Sequence, residues 1–196
     1  FNTQNNFFYK LNFPGKHQQT NAHLVYSSIK PLKEQFNYKI INTKKHITEA
    51  FWPGRIQKIH EAPDVIFDVA HNAQSIDAFI EYFKSIYKQY NITYLIVGFE
   101  QTKAIHNSFK LLLQYFKQIT LTETKIQKSM AVEDLLQIAS IKNQNINIVI
   151  EPKTAILKVK KLMRATDCLV ILGSHYFGPY INDVFKNCFV LEKKNY

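Results

Sequence analysis

Three short clusters carry side chains whose types and spacing suit chemistry. The first is Asp68-Val69-Ala70-His71-Asn72, directly after the apolar run Val65-Ile66-Phe67. A carboxylate there can accept hydrogen bonds from ribose hydroxyls, and a helix opening at Asn72 offers unsatisfied N–H groups to an anion. The same residues would also serve as a plain turn cap with His71 at the surface. The second is Gly173-Ser174-His175-Tyr176, where Gly173 allows close backbone approach and Ser174 can donate to a carboxylate or phosphate. An ordinary strand-to-helix turn has the same composition. The third is Trp52-Pro53-Gly54-Arg55, which sets a forked guanidinium donor on a stiff turn, as phosphate oxygens require. A surface arginine looks the same in isolation.

These clusters need elements to position them. From about Pro63 onward, short apolar runs alternate with amphipathic segments. Val65–Phe67, Ile92–Val97, Gln118–Leu121, Ile146–Ile150 and Cys168–Leu172 read as strands. Between and after them, Ile76, Phe79, Ile80, Phe83, Tyr87 and Tyr90 fall on one helical face. Ile105 to Phe116, Val132 to Ala139, Ala155 to Met163 and Tyr180 to Phe185 do the same. Asn72 is the expected N-cap of the first helix, and Pro152 opens the fourth in the first turn, where proline is tolerated. Continuously apolar strands alternating with amphipathic helices predict a Rossmann-like α/β fold with a doubly wound, mostly parallel sheet. Ligands in such sheets bind outside the carboxyl ends of the strands, where two of the clusters lie. Before this region the pattern changes. Phe7 to Phe13 reads as a strand, Asn21 to Ile29 as a helix, and Lys30 to Lys45 has little regularity. The expected division is 1–50, too short for a core of its own, and 51–196.

Composition narrows the function classes. The 196 residues are 46% hydrophobic and 14% aromatic, which is globular and not disordered. No apolar run reaches the roughly 18 to 20 residues a membrane span needs. The formal net charge of +10 comes from lysines spread along the chain, with pairs at Lys44-Lys45, Lys160-Lys161 and Lys193-Lys194, and no basic stripe. That pattern argues against nucleic acid as a partner, while a diffuse positive field still favours polyanionic small molecules. Cys168 and Cys188 sit in apolar contexts without metal-ligand spacing, as buried free thiols of a cytoplasmic protein do. The chain begins at Phe1 with neither an initiator Met nor a signal-peptide profile, which suggests a fragment or processed product.

Taken together and in order, Trp52-Pro53-Gly54-Arg55, Asp68-x-Ala70-His71-Asn72 and Gly173-Ser174-x-Tyr176 resemble the folylpolyglutamate synthase/dihydrofolate synthase family of the Mur ligase superfamily. Upstream, His17-Gln18-x-x-Asn21-Ala22 is similar to the segment that closes that family's central ATPase domain. The resemblance spans nearly the whole chain. It implies a cytoplasmic, monomeric, ATP-dependent amide ligase that uses Mg²⁺ and joins L-glutamate to folate or dihydropteroate through an acyl phosphate. By matched positions, Asn21 would lie near the adenine, Asp68 near the ribose and Arg55 near the phosphates, where it could also stabilise the transferring phosphoryl group. His71 and Ser174 would line the glutamate and acyl-phosphate side, with Arg55 and His71 as the catalytic pair. Residues 1–50 would be the remnant of the central ATPase domain, the rest of which the chain would need as a partner.

This sequence also departs from the family pattern. No G-x-x-x-x-G-K-[ST] loop occurs in it, and the family's Mg²⁺ ligands are missing, so the chain alone is not expected to be a competent ligase. Val69 stands where the family's D-G-A-H-N has glycine. Thr102-Lys103-Ala104 replaces Asp-Lys-Asp, and Lys128-Ser129-Met130-Ala131 lacks the usual arginine before alanine. These changes keep open an alternative, a non-catalytic nucleotide-binding or assembly module of the same fold.

Overall fold

The computed structural model describes residues 10–12, 14–37, 39, 41–101, 105–126, 128–139 and 145–189. The chain divides into two compact units, Phe1–Trp52 and Pro53–Tyr196.

In the first unit, α1 (Lys16–Phe36) and α2 (Thr43–Glu49) are both helical. The expected helix from Asn21 to Ile29 is therefore extended at both ends, and part of the stretch expected to be irregular is ordered. Two things hid it. Pro31 sits inside α1, and of its residues only Gln18 and Ala22 are buried, so no apolar stripe marks the full length. The helix stops at Asn37, which takes the left-handed conformation that asparagine tolerates. Most of the expected Phe7–Phe13 strand lies outside the described residues; Lys10 to Asn12 are not in a strand.

The second unit is a six-stranded sheet. Its strands are β1 (Gln57–His60), β2 (Asp64–Asp68), β3 (Thr93–Val97), β4 (Gln118–Leu121), β5 (Asn145–Ile148) and β6 (Cys168–Leu172). Their order across the sheet is β1-β2-β6-β3-β4-β5. All neighbours run parallel except β1, which pairs antiparallel with β2 at one edge. This is the doubly wound, mostly parallel sheet expected from the sequence, with one added edge strand. β1 leaves no apolar signal because Gln-Lys-Ile-His is short, polar and nowhere fully buried.

Why the central strands read as unbroken apolar runs is plain from their burial. Ile66, Leu95, Val97, Val170 and Leu172 enter one core. Val65, Phe67, Tyr94, Ile96, Leu169 and Ile171 enter the other, alternating as a pleat requires. Helices α3 (Ala73–Phe83), α4 (His106–Leu113) and α5 (Val132–Ala139) supply Ile76, Phe79, Phe83, Phe109, Leu112 and Leu135 to the first core. Helices α6 (Pro152–Leu162) and α7 (Gly178–Val184) bring Ile156, Val159 and Ile181 to the second. Each such side chain, fully buried, contributes about 1.5 to 3 kcal/mol. α3 ends earlier than the periodicity predicts. Tyr87 belongs to a separate 3-10 turn, Tyr87–Gln89, and still packs on the first core together with Tyr90.

The topology decides where the loops go. The last strand, β6, inserts between β2 and β3 in the middle of the sheet. Asp68, Leu172 and Val97 are register partners across β2, β6 and β3, so the three strands finish level. The loops that leave them must therefore meet.

Candidate functional site

At the end of β2, Asp68 is a brace. Its Oδ2 accepts the Ile56 N–H at 2.7 Å and its Oδ1 accepts the Ala70 N–H at 2.7 Å. Beside them the Val69 N–H donates to the Gly54 carbonyl at 2.9 Å. Two of these hydrogen bonds, from the Ile56 N–H and to the Gly54 carbonyl, thus fasten the Pro53–Ile56 turn to the strand end, and the third holds the Asp68 carboxylate in place. The turn is costly by itself, since Ile56, a β-branched residue, is held at φ 48°. Gly54, at φ 73°, is required: a Cβ there would lie 2.5 Å from Val69 Cγ1. Asp68 is 6% exposed. Burial pushes its carboxyl up to about 6, opposed by the Ile56 and Ala70 N–H donors and by the charges of Arg55 and His71 nearby. Arg55 forms no ion pair among the described residues. The brace therefore holds the backbone of Arg55, a half-buried residue, at the carboxyl end of β2.

His71 is exposed, one residue ahead of the helix cap. Its Nδ1 lies 2.9 Å from the Val69 carbonyl oxygen. A carbonyl only accepts, so Nδ1 carries a proton and Nε2 holds the lone pair of the neutral ring. Asn72 is the N-cap expected from the sequence: its Oδ1 accepts the Ser75 N–H at 2.9 Å, and the Asn72 N–H donates to Ser75 Oγ at 3.2 Å.

Across on β6, the Gly173 N–H donates to the Asp68 carbonyl at 3.2 Å, joining the two loops. Gly173 has φ 124°, and a Cβ on it would be driven into the Gly98 carbonyl oxygen after β3. Ser174, 1% exposed, donates its hydroxyl to Glu100 Oε1 at 3.1 Å and accepts the Tyr176 N–H at 3.3 Å. Glu100 belongs to none of the three clusters that the sequence offers. It nevertheless lies just past an apolar run and Gly98, the same kind of place that marks Ser174.

The second unit thus brings Arg55, Asp68, His71 and Ser174 to one end of the sheet. Asn21 belongs to the first unit. It is an exposed residue of α1 whose Nδ2 donates to Gln18 Oε1 at 3.2 Å, and with Gln18, Ala22, Val25, Ile47 and Ala50 it lines a small apolar pocket there. Thr102-Lys103-Ala104 lies outside the described residues. Among those described, no three His, Cys, Asp or Glu side chains are grouped to hold a metal ion, and no helix is long and apolar enough to cross a membrane.

Known proteins resemble this chain in sequence and fold. The dihydrofolate synthase/folylpolyglutamate synthase of Bacillus subtilis is 24% identical over 174 residues, 88% of this chain and 39% of that protein. In fold, the chain matches Mycobacterium tuberculosis folylpolyglutamate synthase complexed with ADP and AMPPCP at a TM-score of 0.75 and 19% identity, covering 90% of this chain and 41% of that one. It matches Escherichia coli FolC in complex with ADP at a TM-score of 0.72 and 19% identity, covering 89% and 40%. The chain spans about two fifths of the length of these relatives. Residues 54–175, more than half of the sequence and holding the whole braced corner from Gly54 to Ser174, match the family model of the Mur ligase glutamate ligase domain, and the chain belongs to that family.

Proposed function

We propose that the chain serves an ATP-dependent ligase that joins L-glutamate to folate or dihydropteroate, acting with an ATP-binding portion whose phosphate loop is absent from this sequence. The observation that carries this reading is the meeting of Arg55 and Asp68 at the carboxyl end of β2, next to Gly173-Ser174 on β6.

A carboxylate resists amines until one of its oxygens becomes a good leaving group. ATP supplies that group by phosphorylating the folate or pteroate carboxylate. The glutamate nitrogen then attacks the acyl carbon through a tetrahedral intermediate, and phosphate leaves as the amide forms. Arg55 would meet the phosphates and offset charge on the transferring phosphoryl group. Asp68 fixes the Arg55 turn, and a ribose hydroxyl would use the lone pairs that the Ile56 and Ala70 N–H groups leave. His71 and Ser174 belong on the glutamate side. The described residues do not fit a Mg²⁺ site, so no step of this chain's own runs through the metal. Because water destroys an acyl phosphate, the corner must work inside a cleft that closes.

The test is ADP release by the intact protein given ATP, Mg²⁺, glutamate, and dihydropteroate or tetrahydrofolate. Release that depends on both acceptor substrates is the expected result. Nucleotide binding without any such release would instead identify a non-catalytic module.

A further inference from the structure

Ser174 has one proton to give, and it gives it to Glu100. Its oxygen already accepts the Tyr176 N–H. A serine so engaged, and 1% exposed, has no donor left for an incoming carboxylate. The partly exposed acid beside Ser174 is Glu100. Its backbone is pinned on both sides: the Met130 N–H donates to the Phe99 carbonyl at 2.9 Å, and the Gln101 N–H donates to the Lys128 carbonyl at 2.6 Å. A bridge pairs Glu100 with Ser129 between them. Among the described residues Glu100 forms no ion pair. A fixed anion of this kind, at the level strand ends where the ligand would sit, is preorganised for a cation.

We infer that Glu100 docks the ammonium group of the incoming amino acid, and that Ser174 is a positioning residue that aims the Glu100 carboxylate. The inference rests on the ligase reading for the identity of the amine. It assigns to Glu100 a specificity that the three motifs do not contain. An ammonium held by a carboxylate is set in place and becomes the nucleophile once it has lost a proton to solvent, whereas the same substrate with a blocked nitrogen offers the carboxylate no cation and binds poorly.

The experiment follows backbone amide shifts of the 196-residue chain by NMR, titrated with L-glutamate and with N-acetyl-L-glutamate, which lacks the ammonium. The wild-type chain should bind L-glutamate at least about tenfold more tightly, with shifts at Glu100, Ser129 and Ser174. Glu100→Gln keeps an acceptor for the Ser174 hydroxyl and removes only the charge, so its spectrum should otherwise match the wild type while the preference disappears. Ser174→Ala should reduce the preference without abolishing it. Equal binding of the two ligands by the wild type, no binding of either, or an undiminished preference in Glu100→Gln overturns the inference. ADP release is the separate measure of the ligase reading. An active intact protein whose chain shows no Glu100-dependent preference sinks this inference alone. A chain that shows the preference, within a protein that releases no ADP, sinks the ligase reading alone.

Discussion

Two acids stand at the carboxyl edge of one sheet and are used in opposite ways. Asp68 is almost fully buried, and both of its oxygens take backbone N–H groups, so its charge is spent on shape. Glu100 is partly exposed and receives a single side-chain hydroxyl, so most of its hydrogen-bonding capacity remains. The acid inside the recognisable motif is mainly architectural, and the acid outside it is the better placed to meet a ligand. A motif residue can be indispensable first because it builds the site, and only second through the contact its remaining lone pairs make with a ligand.

The sharpest way to break this comparison is to disturb the seam between the two corners. At Gly173 the left-handed backbone and the Gly98 carbonyl leave no room for a methyl group. Gly173→Ala should cost more than about 4 kcal/mol, because backbone cannot step aside as a flexible side chain would, and the chain should lose cooperative unfolding or soluble expression. Gly178 is the control. A Cβ there would have Phe189 as its nearest neighbour at 3.9 Å, so Gly178→Ala should unfold at nearly the wild-type urea concentration. Similar losses in both variants would mean that the strand ends are not jammed together at Gly173.

A smaller effect separates architecture from chemistry on β2. Asp68→Ala strands the buried Ile56 and Ala70 N–H groups and releases a turn held at an unfavourable φ, which should cost about 2 to 3 kcal/mol of stability at neutral pH. Arg55→Ala removes a side chain with no ion pair among the described residues, and stability should stay within about 0.5 kcal/mol. In the intact protein the same Arg55→Ala change should cost roughly 2 to 4 kcal/mol at the transition state of ligation, read from kcat/KM for ATP. A stable but inactive Arg55 variant beside an unstable Asp68 variant is the expected pattern. The reverse pattern would exchange their roles.

Much of the sheet was legible because burial on both faces leaves an unmistakable mark on sequence. β3 and β6 are apolar at nearly every position and β2 is apolar between its two aspartates, and Asn72 and Pro152 announce their helices through capping chemistry that is local. What the sequence concealed depends on contacts distant in the chain. β1 is a polar edge strand that exists because β2 offers it hydrogen bonds. α1 continues through Pro31 to Phe36, well past the expected end at Ile29, with only Gln18 and Ala22 buried to mark it. The same division runs through the site. Asp68, His71 and Ser174 lie just past apolar runs and could be found by position, but the placement of β6 between β2 and β3 appears in no local pattern. That topology is what sets Ser174 against Glu100, 74 residues earlier. The left-handed Ile56 was likewise unreadable, since its conformation is imposed by the carboxylate of Asp68, 12 residues on.

The smallest effect is also the most specific to the brace. Folding raises the Asp68 carboxyl from its ordinary 3.8 to about 6, chiefly through burial, so the folded chain holds this proton more tightly than the unfolded chain does. The stability that this brings is fully present below the unfolded value and is lost as pH rises through the folded one. Lowering the pH from about 7.5 to about 5 should therefore strengthen the wild type by about 1.4 kcal/mol relative to Asp68→Ala, which has no such group to titrate. Urea unfolding of both proteins at the two pH values measures the difference directly, and the other carboxylates cancel in the comparison. A gap that narrows toward acid would mean that the folded state prefers the ionised carboxylate. In that case the two N–H donors and the Arg55 charge would outweigh burial, and Asp68 would be as available to a ligand, electrostatically, as Glu100.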